Sequence, residues 1–370
     1  MTAAQQPTVG FSPMKRLEKA VSRRSVLKLG AAADGLIVAP GVLRRAYAAR
    51  EVNVAFTAGH EAAARAAFID DFAKETGVTV NFVVRRTSPV TEVKMQVETK
   101  AYQWDVVGTI GKDVYLQIAD VVEPLDYSNP ILASLPKNLV APGYAPYEIV
   151  ATTFAYKAEK FPDRTLAWED ILNTSGAPGG RSLRNRVVEA TEIALRISGV
   201  DPADIQKVLE APDGWDRVYK QLDQVKPLID IWWTEQLPVQ EIVNGDIVIA
   251  PGANSDLRRL NGQGGGMKMN WDRGFYKPHG FVIPKGAPNA DIAKDFIIFA
   301  MQPERIGKYC SAMGPGPIVP GALDYVDPAV VPDMPTFAAN LEKMAPEISA
   351  YWAANAPTVT PRFNEWMLKG

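Results

Sequence analysis

The hydrophobic period switches repeatedly between residues 52 and 107, and neither an all-helical nor an all-strand fold accommodates that switching. Val52, Val54 and Phe56 alternate with polar or small neighbours, the two-residue period of a strand. Ala62, Ala66, Ile69, Phe72 and Ala73 then recur at helical spacing and stop at Gly77, a residue suited to the left-handed turn that ends a helix. Val78, Val80 and Phe82 alternate again, a second helix is expected over 90–99, and Trp104-Asp105-Val106-Val107-Gly108 reads as a short buried strand. Strand, helix, strand, helix, strand in that order implies parallel pairing in a right-handed α/β layer. Ligands in such sheets bind beyond the carboxyl ends of the strands. Those ends fall at 57–60 and 109–112, so Gly59, His60, Thr109 and Gly111 are candidate ligand contacts. His60 stands near a helix start, where backbone N–H groups favour an anion.

The middle of the chain is richer in helix. Asp201 is placed to cap a helix with Pro202 at its first position, and Trp215, Val218, Leu222 and Val225 form an apolar stripe on the next. A strand is expected over 246–250, followed by a Gly-rich stretch at 262–266. That stretch lacks the spacing of a phosphate cradle and opens no helix, so it reads as a surface loop. Near the end, Asn289 is expected to cap a helix that turns Ile292, Phe296, Phe299 and Ala300 inward.

Charge divides the chain sharply. Residues 1–48 hold eight Lys/Arg against two Asp/Glu, while the whole sequence is formally −2, which leaves −8 on the remainder. An acidic body is ill suited to nucleic acid or to anionic lipid. A single cysteine, Cys310, permits no internal disulfide and no thiolate cluster, and only His60 and His279 are available as imidazole ligands. No metal and no cofactor are therefore expected. The basic start has its own order: Ser22-Arg23-Arg24-Ser25-Val26-Leu27-Lys28, a short apolar stretch, then Ala46-Tyr47-Ala48. This resembles a twin-arginine export signal over 1–48 ending in a small-residue cleavage site. It implies the export machinery as a partner of the precursor and a periplasmic, unanchored mature chain.

Four stretches, taken together, resemble periplasmic solute-binding proteins of the spermidine/putrescine importer type. They are Phe72-Ala73-Lys74-Glu75-Thr76-Gly77-Val78; Trp104-Asp105-Val106-Val107; Gly280-Phe281-Val282-Ile283-Pro284-Lys285-Gly286-Ala287-Pro288-Asn289; and Gly314-Pro315 with Ala322 and Phe363-Asn364-Glu365-Trp366. The resemblance implies a two-lobed α/β fold of the type II periplasmic-binding class, with two hinge strands crossing near 151–154 and 277–280. Lobe 1 would hold 51–153 plus 278–322, and lobe 2 would hold 154–277 plus 323–370. A monomer of this kind captures a small solute between the lobes and, once closed, delivers it to an ABC permease in the inner membrane.

Departures from that family bear on the ligand. Polyamine binders are similar to one another in using aromatic walls and carboxylates. Where they carry Trp-x-Asp at the second crossing, this chain has Lys277-Pro278-His279. Their acidic pair before Ala194-Leu195-Arg196 is matched by Asn185-Arg186, and their Trp-Asn by Ala253-Asn254. Arg186, Lys277, His279 and Asn254 thus become candidate contacts for an anionic or zwitterionic organic solute, with a polyamine as the alternative. The alternative for the arginines of this stretch is pairing with Glu189, Asp201 or another local acid on a solvated face. His279 is expected to gain charge below pH 6.5 and so to favour an anion there. Trp232 or Trp233 is a candidate wall of the cleft, and Tyr156 a candidate hydrogen-bonding group. A periplasmic enzyme is a poorer reading, because Gly-x-Ser-x-Gly, His-Glu-x-x-His and Cys-x-x-Cys patterns are all missing from the sequence. An iron carrier would call for an adjacent tyrosine pair, which is also missing, and a sensory binding subunit is a third alternative.

Overall fold

The computed structural model describes residues 50–86, 88–234 and 236–369; the expected export signal lies outside the described residues. Strand β1 (Glu51–Thr57) pairs in parallel along its whole length with β2 (Thr79–Arg85), and its Val54 and Ala55 pair with β3 (Val106–Gly111). The parallel layer expected from the alternating periods is present. Helix α1 links β1 to β2 and runs from Glu61–Ala64 through a π-turn at Arg65–Ile69 into Asp70–Thr76. Gly77, at φ +79°, ends it in the left-handed conformation that glycine adopts without a Cβ penalty.

The π-turn corrects part of the expected helix face. An i+5 bond inserts an extra residue into the turn and rotates the apolar stripe. Ala62 and Ala66, expected to face inward, are exposed, whereas Ala64, Ala67 and Phe68 are buried beside Ile69 and Phe72. Helix α2 (Pro89–Thr99) starts on a proline and is tied to the next strand by Gln96, whose buried side chain accepts from the backbone N–H groups of Gln103 and Trp104. Helix α3 (Lys112–Ile118) follows β3 directly.

Two long strands carry the architecture. β4 (Ala145–Lys157) and β9 (Met267–Val282) lie antiparallel at the centre of one twisted sheet. On one flank β9 pairs with β3, giving the order β2-β1-β3-β9-β4. On the other, β4 continues to β7 (Ile247–Ile249), β5 (Gly180–Arg184) and β6 (Ile231–Trp233), and the two-residue strands β8 (Gly252–Ala253) and β10 (Gly316–Pro317) also pair with β4. Midway the ladder breaks: Thr152 opposes Phe275 but Phe154 opposes Asn270, so 271–274 loop out against Thr153 alone. Arg273 holds that loop at φ +52°, a left-handed conformation that costs a non-glycine residue energy. It is secured from several sides. Arg196 donates to the Arg273 carbonyl at 2.6 Å, Arg273 donates back to the Arg196 carbonyl at 3.1 Å, and its other terminal nitrogen donates to both carboxylate oxygens of Glu169 at 2.6 and 2.7 Å.

Apolar burial segregates around the two halves of the sheet. One core gathers Phe56, Phe68, Phe72, Tyr147, Phe281 and Phe296 and extends to Met334. A second packs Phe154, Trp168, Leu183, Ile193 and Val248 under the far half. A third joins helices α4 (Val187–Ile197), α5 (Gly214–Val225) and the final helix Ser349–Leu368 through Val188, Leu195, Val218, Leu222, Trp352 and Phe363. The stripe expected on α5 is therefore real. Asn289 does stand at the start of its helix, Ala290–Ala300, but does not cap it with its side chain; the amide lies 3.3 Å from both oxygens of Asp105.

Candidate functional site

Between the two cores, short-range geometry brings together charged residues from far apart in sequence. Asp113 is the second residue of α3 and is 3% exposed. Arg186 is the residue from which α4 departs. Lys277 and His279 lie on β9, opposite Val150 and Glu148 of β4. Glu347 arrives from the C-terminal segment, just after β11 (Ala345–Pro346) adds in parallel to Phe275 and Tyr276 of β9. The Lys277 ammonium sits 2.9 Å from Glu347 and 3.3 Å from Asp113. Arg186 reaches Glu189 at 3.1 Å and, across the gap, Asp113 at 3.5 Å. Arg184 also approaches Glu189, at 3.4 Å, with its guanidinium 5.3 Å from the centre of the Trp233 ring. Gly111 makes the arrangement possible, since a Cβ there would stand 2.5 Å from an Asp113 carboxyl oxygen.

Burial and neighbours divide these groups by charge. Burial alone would raise Asp113, but Lys277 and Arg186 hold its carboxyl below the usual carboxylate range. Glu189 is kept low in the same way, against burial, by Arg186, Arg184 and Lys277. Burial would discharge Lys277, yet Asp113 and Glu347 outweigh it and hold the ammonium above its ordinary value. Glu148 and Glu347 go the other way, each pushed up to about 8 by burial. His279 is lowered to about 3, by burial first and then by Lys277. Near pH 7 the cleft thus holds cationic Arg184, Arg186 and Lys277 against anionic Asp113 and Glu189, with Glu148, Glu347 and His279 uncharged. The imidazolium expected below pH 6.5 does not form until pH approaches 3, because the ring is buried beside a lysine.

A cavity of about 90 Å³ opens on this cluster, walled by Thr152, Arg184, Arg186, Trp233, Phe275 and His279 among others. Of the residues singled out by sequence, Arg186, Lys277 and His279 meet here, and the Gly111 backbone abuts Asp113 and Lys277. Gly59, His60 and Thr109 lie together at the ends of β1 and β3. There the His60 Nδ1 is 2.6 Å from the Tyr309 hydroxyl. The other three expected contacts lie outside the cavity wall. Tyr156 is fully buried in the second core. Trp232 packs edge-on against Trp366 at 6.1 Å, leaving Trp233 to wall the cavity. Asn254, 1% exposed, accepts from the Ala151 N–H at 3.0 Å and donates to the Gly314 carbonyl at 2.8 Å. Its amide is committed to the backbone of the crossing strand.

Sequence reasoning missed Asp113, Glu148 and Glu347. Asp113 lay within reach of the rule that found Gly111, since it stands just past the same strand end. Glu347 carried no local signal, because only the pairing of β11 with β9 delivers it.

Among the described residues no helix is long and apolar enough to cross a membrane, and no group of three or more His, Cys, Asp or Glu could hold a metal ion. Residues 67–339 match the model of a family described as bacterial extracellular solute-binding protein. The chain is similar to the gamma-aminobutyric acid-binding protein of Pseudomonas aeruginosa, 27% identical over 317 residues that cover 85% of this chain and 89% of that one. It also superposes on an ABC transporter substrate-binding protein from Bradyrhizobium japonicum, with a TM-score of 0.77, 27% identity, and 86% and 99% of the two chains covered. A third likeness is to the binding protein AgtB of A. tumefaciens in complex with agropinic acid, with a TM-score of 0.74, 25% identity, and coverage of 87% and 99%.

Proposed function

Because this chain belongs to the bacterial extracellular solute-binding protein family, we propose that it captures a small zwitterionic or anionic organic solute, most simply an amino acid or amino-acid derivative. It is a substrate-binding component of an ABC importer and not an enzyme. The observation that carries the ligand class is the cluster of both charge signs where the two cores meet. Arg186 and Asp113 face each other across that gap at 3.5 Å, the longest contact in the cluster built around Asp113, Arg186, Lys277 and Glu347. A solute carrying both a carboxylate and an ammonium can enter there, giving its carboxylate to Arg186 and Arg184 and its ammonium to Asp113. Protonated Glu347 and Glu148 supply neutral donors and acceptors around it. A polycation gains nothing from Arg184, Arg186 and Lys277, and Trp233, Phe275 and Tyr276 are the aromatic residues of the cavity wall left to it.

Calorimetry on the purified protein tests this reading, with γ-aminobutyrate and related amino acids set against putrescine and spermidine. Arg186→Ala should weaken amino-acid binding by about 1.5–3 kcal/mol, the worth of a hydrogen bond to a charged group. That is roughly ten- to 150-fold in affinity. Tight polyamine binding by the unaltered protein would overturn the assignment.

Our reading of the lobes assigns 51–153 and 278–334 to the first and 154–277 with 335–369 to the second. The first lobe's boundary is set past 322 because Val326, Val330 and Met334 pack in its core. We further propose that the chain works as a monomer in the periplasm, delivers its solute to an inner-membrane permease, and leaves the cytoplasm by the twin-arginine route directed by Arg23-Arg24. Replacing both arginines by lysine should strand the precursor in the cytoplasm. An unchanged periplasmic yield would remove the export assignment.

A further inference from the structure

Beyond the charged cluster, the ends of β1, β2 and β3 carry a cation that no acid neutralises among the described residues. Arg85, the last residue of β2, lies across the ends of β1 and β3. One of its terminal nitrogens donates to the Thr57 hydroxyl at 3.0 Å, the Gly108 carbonyl at 3.1 Å and the Thr109 hydroxyl at 2.7 Å. Its Nε is buried with no partner. These neighbours are dipoles, and dipoles do not replace a counter-charge for a half-buried guanidinium. Thr109 adds an independent sign of design. It is β-branched yet sits at φ +53°, a conformation that costs energy and persists where its surroundings over-determine it, commonly at ligand clamps. Here its N–H donates to the Tyr147 hydroxyl at 3.1 Å, and its own hydroxyl meets Thr57 at 3.0 Å and Gly108 at 2.8 Å as well as Arg85. From the opposite lobe, helix Asn254–Asn261 lays one terminal nitrogen of the Arg259 guanidinium within 3.4 Å of where a Cβ on Gly59 would stand, while its other terminal nitrogen pairs with Asp256 at 2.8 Å. Both arginines press on His60, which burial, then Arg259, then Arg85 lower to about 3. His60 and Arg85 also act on His279, so the group adjoins the cluster described above.

We infer that Arg85, Thr57, Thr109 and Arg259 form an anion-binding subsite, and that the solute carries a second acid group, carboxylate or phosphonate, which seats there. This rests on the proposed cleft reading and narrows it from amino acids in general to those bearing two acid groups. Arg85 supplies a fixed fork from one lobe and Arg259 a mobile one from the other, so the second acid group also helps to draw the lobes together.

Glutamate differs from γ-aminobutyrate by one added carboxylate, and glutarate lacks the ammonium, so calorimetry with these three probes reads the subsite directly. Glutamate should bind the unaltered protein about tenfold or more tighter than γ-aminobutyrate. Arg85→Gln should collapse that ratio toward one, and Arg259→Ala, on a side chain that is 42% exposed, should reduce it by a smaller factor. Should Arg85→Gln lower the melting temperature enough to compromise the measurement, the exposed Arg259→Ala carries the test. A protein that holds γ-aminobutyrate as tightly as glutamate, or a ratio indifferent to both substitutions, overturns the subsite. Arg186→Ala serves as the separate check, since it should weaken both amino acids alike. If it spares both while the ratio still answers to Arg85, the cleft reading fails and the subsite stands. If none of the three probes binds, both fall.

Discussion

Arg186 was visible in the sequence for two opposed reasons, as a ligand contact and as half of a local ion pair, and the folded chain uses it for both geometries at once. It is paired with Glu189 at 3.1 Å and still reaches over the gap to Asp113. Sequence can place the arginine, because helix starts and family positions are local; it cannot place Glu347 or Asp113 beside Lys277, because those meetings depend on register between distant strands. The same burial that assembles the cluster makes its pH response testable. Glu148 has a folded value of about 8 against an ordinary 4.5, so the folded state binds the extra proton between those limits. Its contribution to stability is complete below pH 4.5 and is lost as pH rises through 8. His279 has the opposite sign: lowered to about 3 from 6.5, it contributes fully above pH 6.5 and loses that contribution as pH falls through 3. Between pH 6.5 and 8 the histidine no longer changes, so the glutamate's slope stands alone of the two, reinforced by Glu347. Glu148→Gln keeps the shape of the neutral acid without its proton. Melting temperatures measured from pH 6.5 to 8.5 should fall less steeply for this variant than for its parent. Parallel curves would show that Glu148 is already ionised at neutral pH.

Among the elements, what the sequence revealed depended on whether a strand kept its period. β1 and β2 were legible because their apolar residues alternate in sequence and the two strands pair in unbroken register, β3 because Val106-Val107 form a short buried run, and the helix between the first two was legible in extent. Its inward face was not. The π-turn at Arg65–Ile69 shifts the stripe by a residue, and Ala-rich composition around it offers helical spacing in more than one phase. β9 was harder still. The loop-out of 271–274 interrupts its alternation, and both sides of the break are buried against different cores, so periodicity cannot join them into one strand of 16 residues. The family resemblance is what suggested crossings near 151–154 and 277–280, where the pattern could not. The tryptophan pair shows the same limit from another side. Adjacent strand residues face opposite ways, so one ring had to enter a core, but which one is decided by the register of β6 against β5, where Trp232 pairs with Leu183 and Trp233 with Arg184.

For the whole molecule, the arrangement of contacts sets an expectation about motion. Among the described residues only β4 and β9 run through both halves of the sheet, and the side-chain hydrogen bonds and ion pairs across the gap are few. Arg186 faces Asp113, Arg258 donates to the Ser311 carbonyl at 3.3 Å, and Asn254 donates to that of Gly314. The three main cores each gather around one half of the sheet or its helices, and the apolar surface shared between the halves is the smaller cluster of Leu139, Ile149, Ile318, Trp271 and Tyr276 beside the crossing strands, with the final helix packed along α3. Polar links of this sort can be exchanged for water at little net cost, so an open state lies within reach of the free protein. A solute that bridges the two sides adds contacts available only when they meet. It therefore shifts the population toward the closed form by its differential affinity, and by no more than that. A compact chain of this length has a radius of gyration of roughly 20 Å. Solution scattering should find the liganded protein near that value and the free protein measurably larger. Asp113→Asn, which weakens the cross-gap attraction to Arg186 with almost no change of shape, should enlarge the free form further and require more solute to close it. An identical radius with and without solute, at saturation proved by calorimetry, would mean that the crossing strands are rigid and that uptake is controlled by something other than hinge closure.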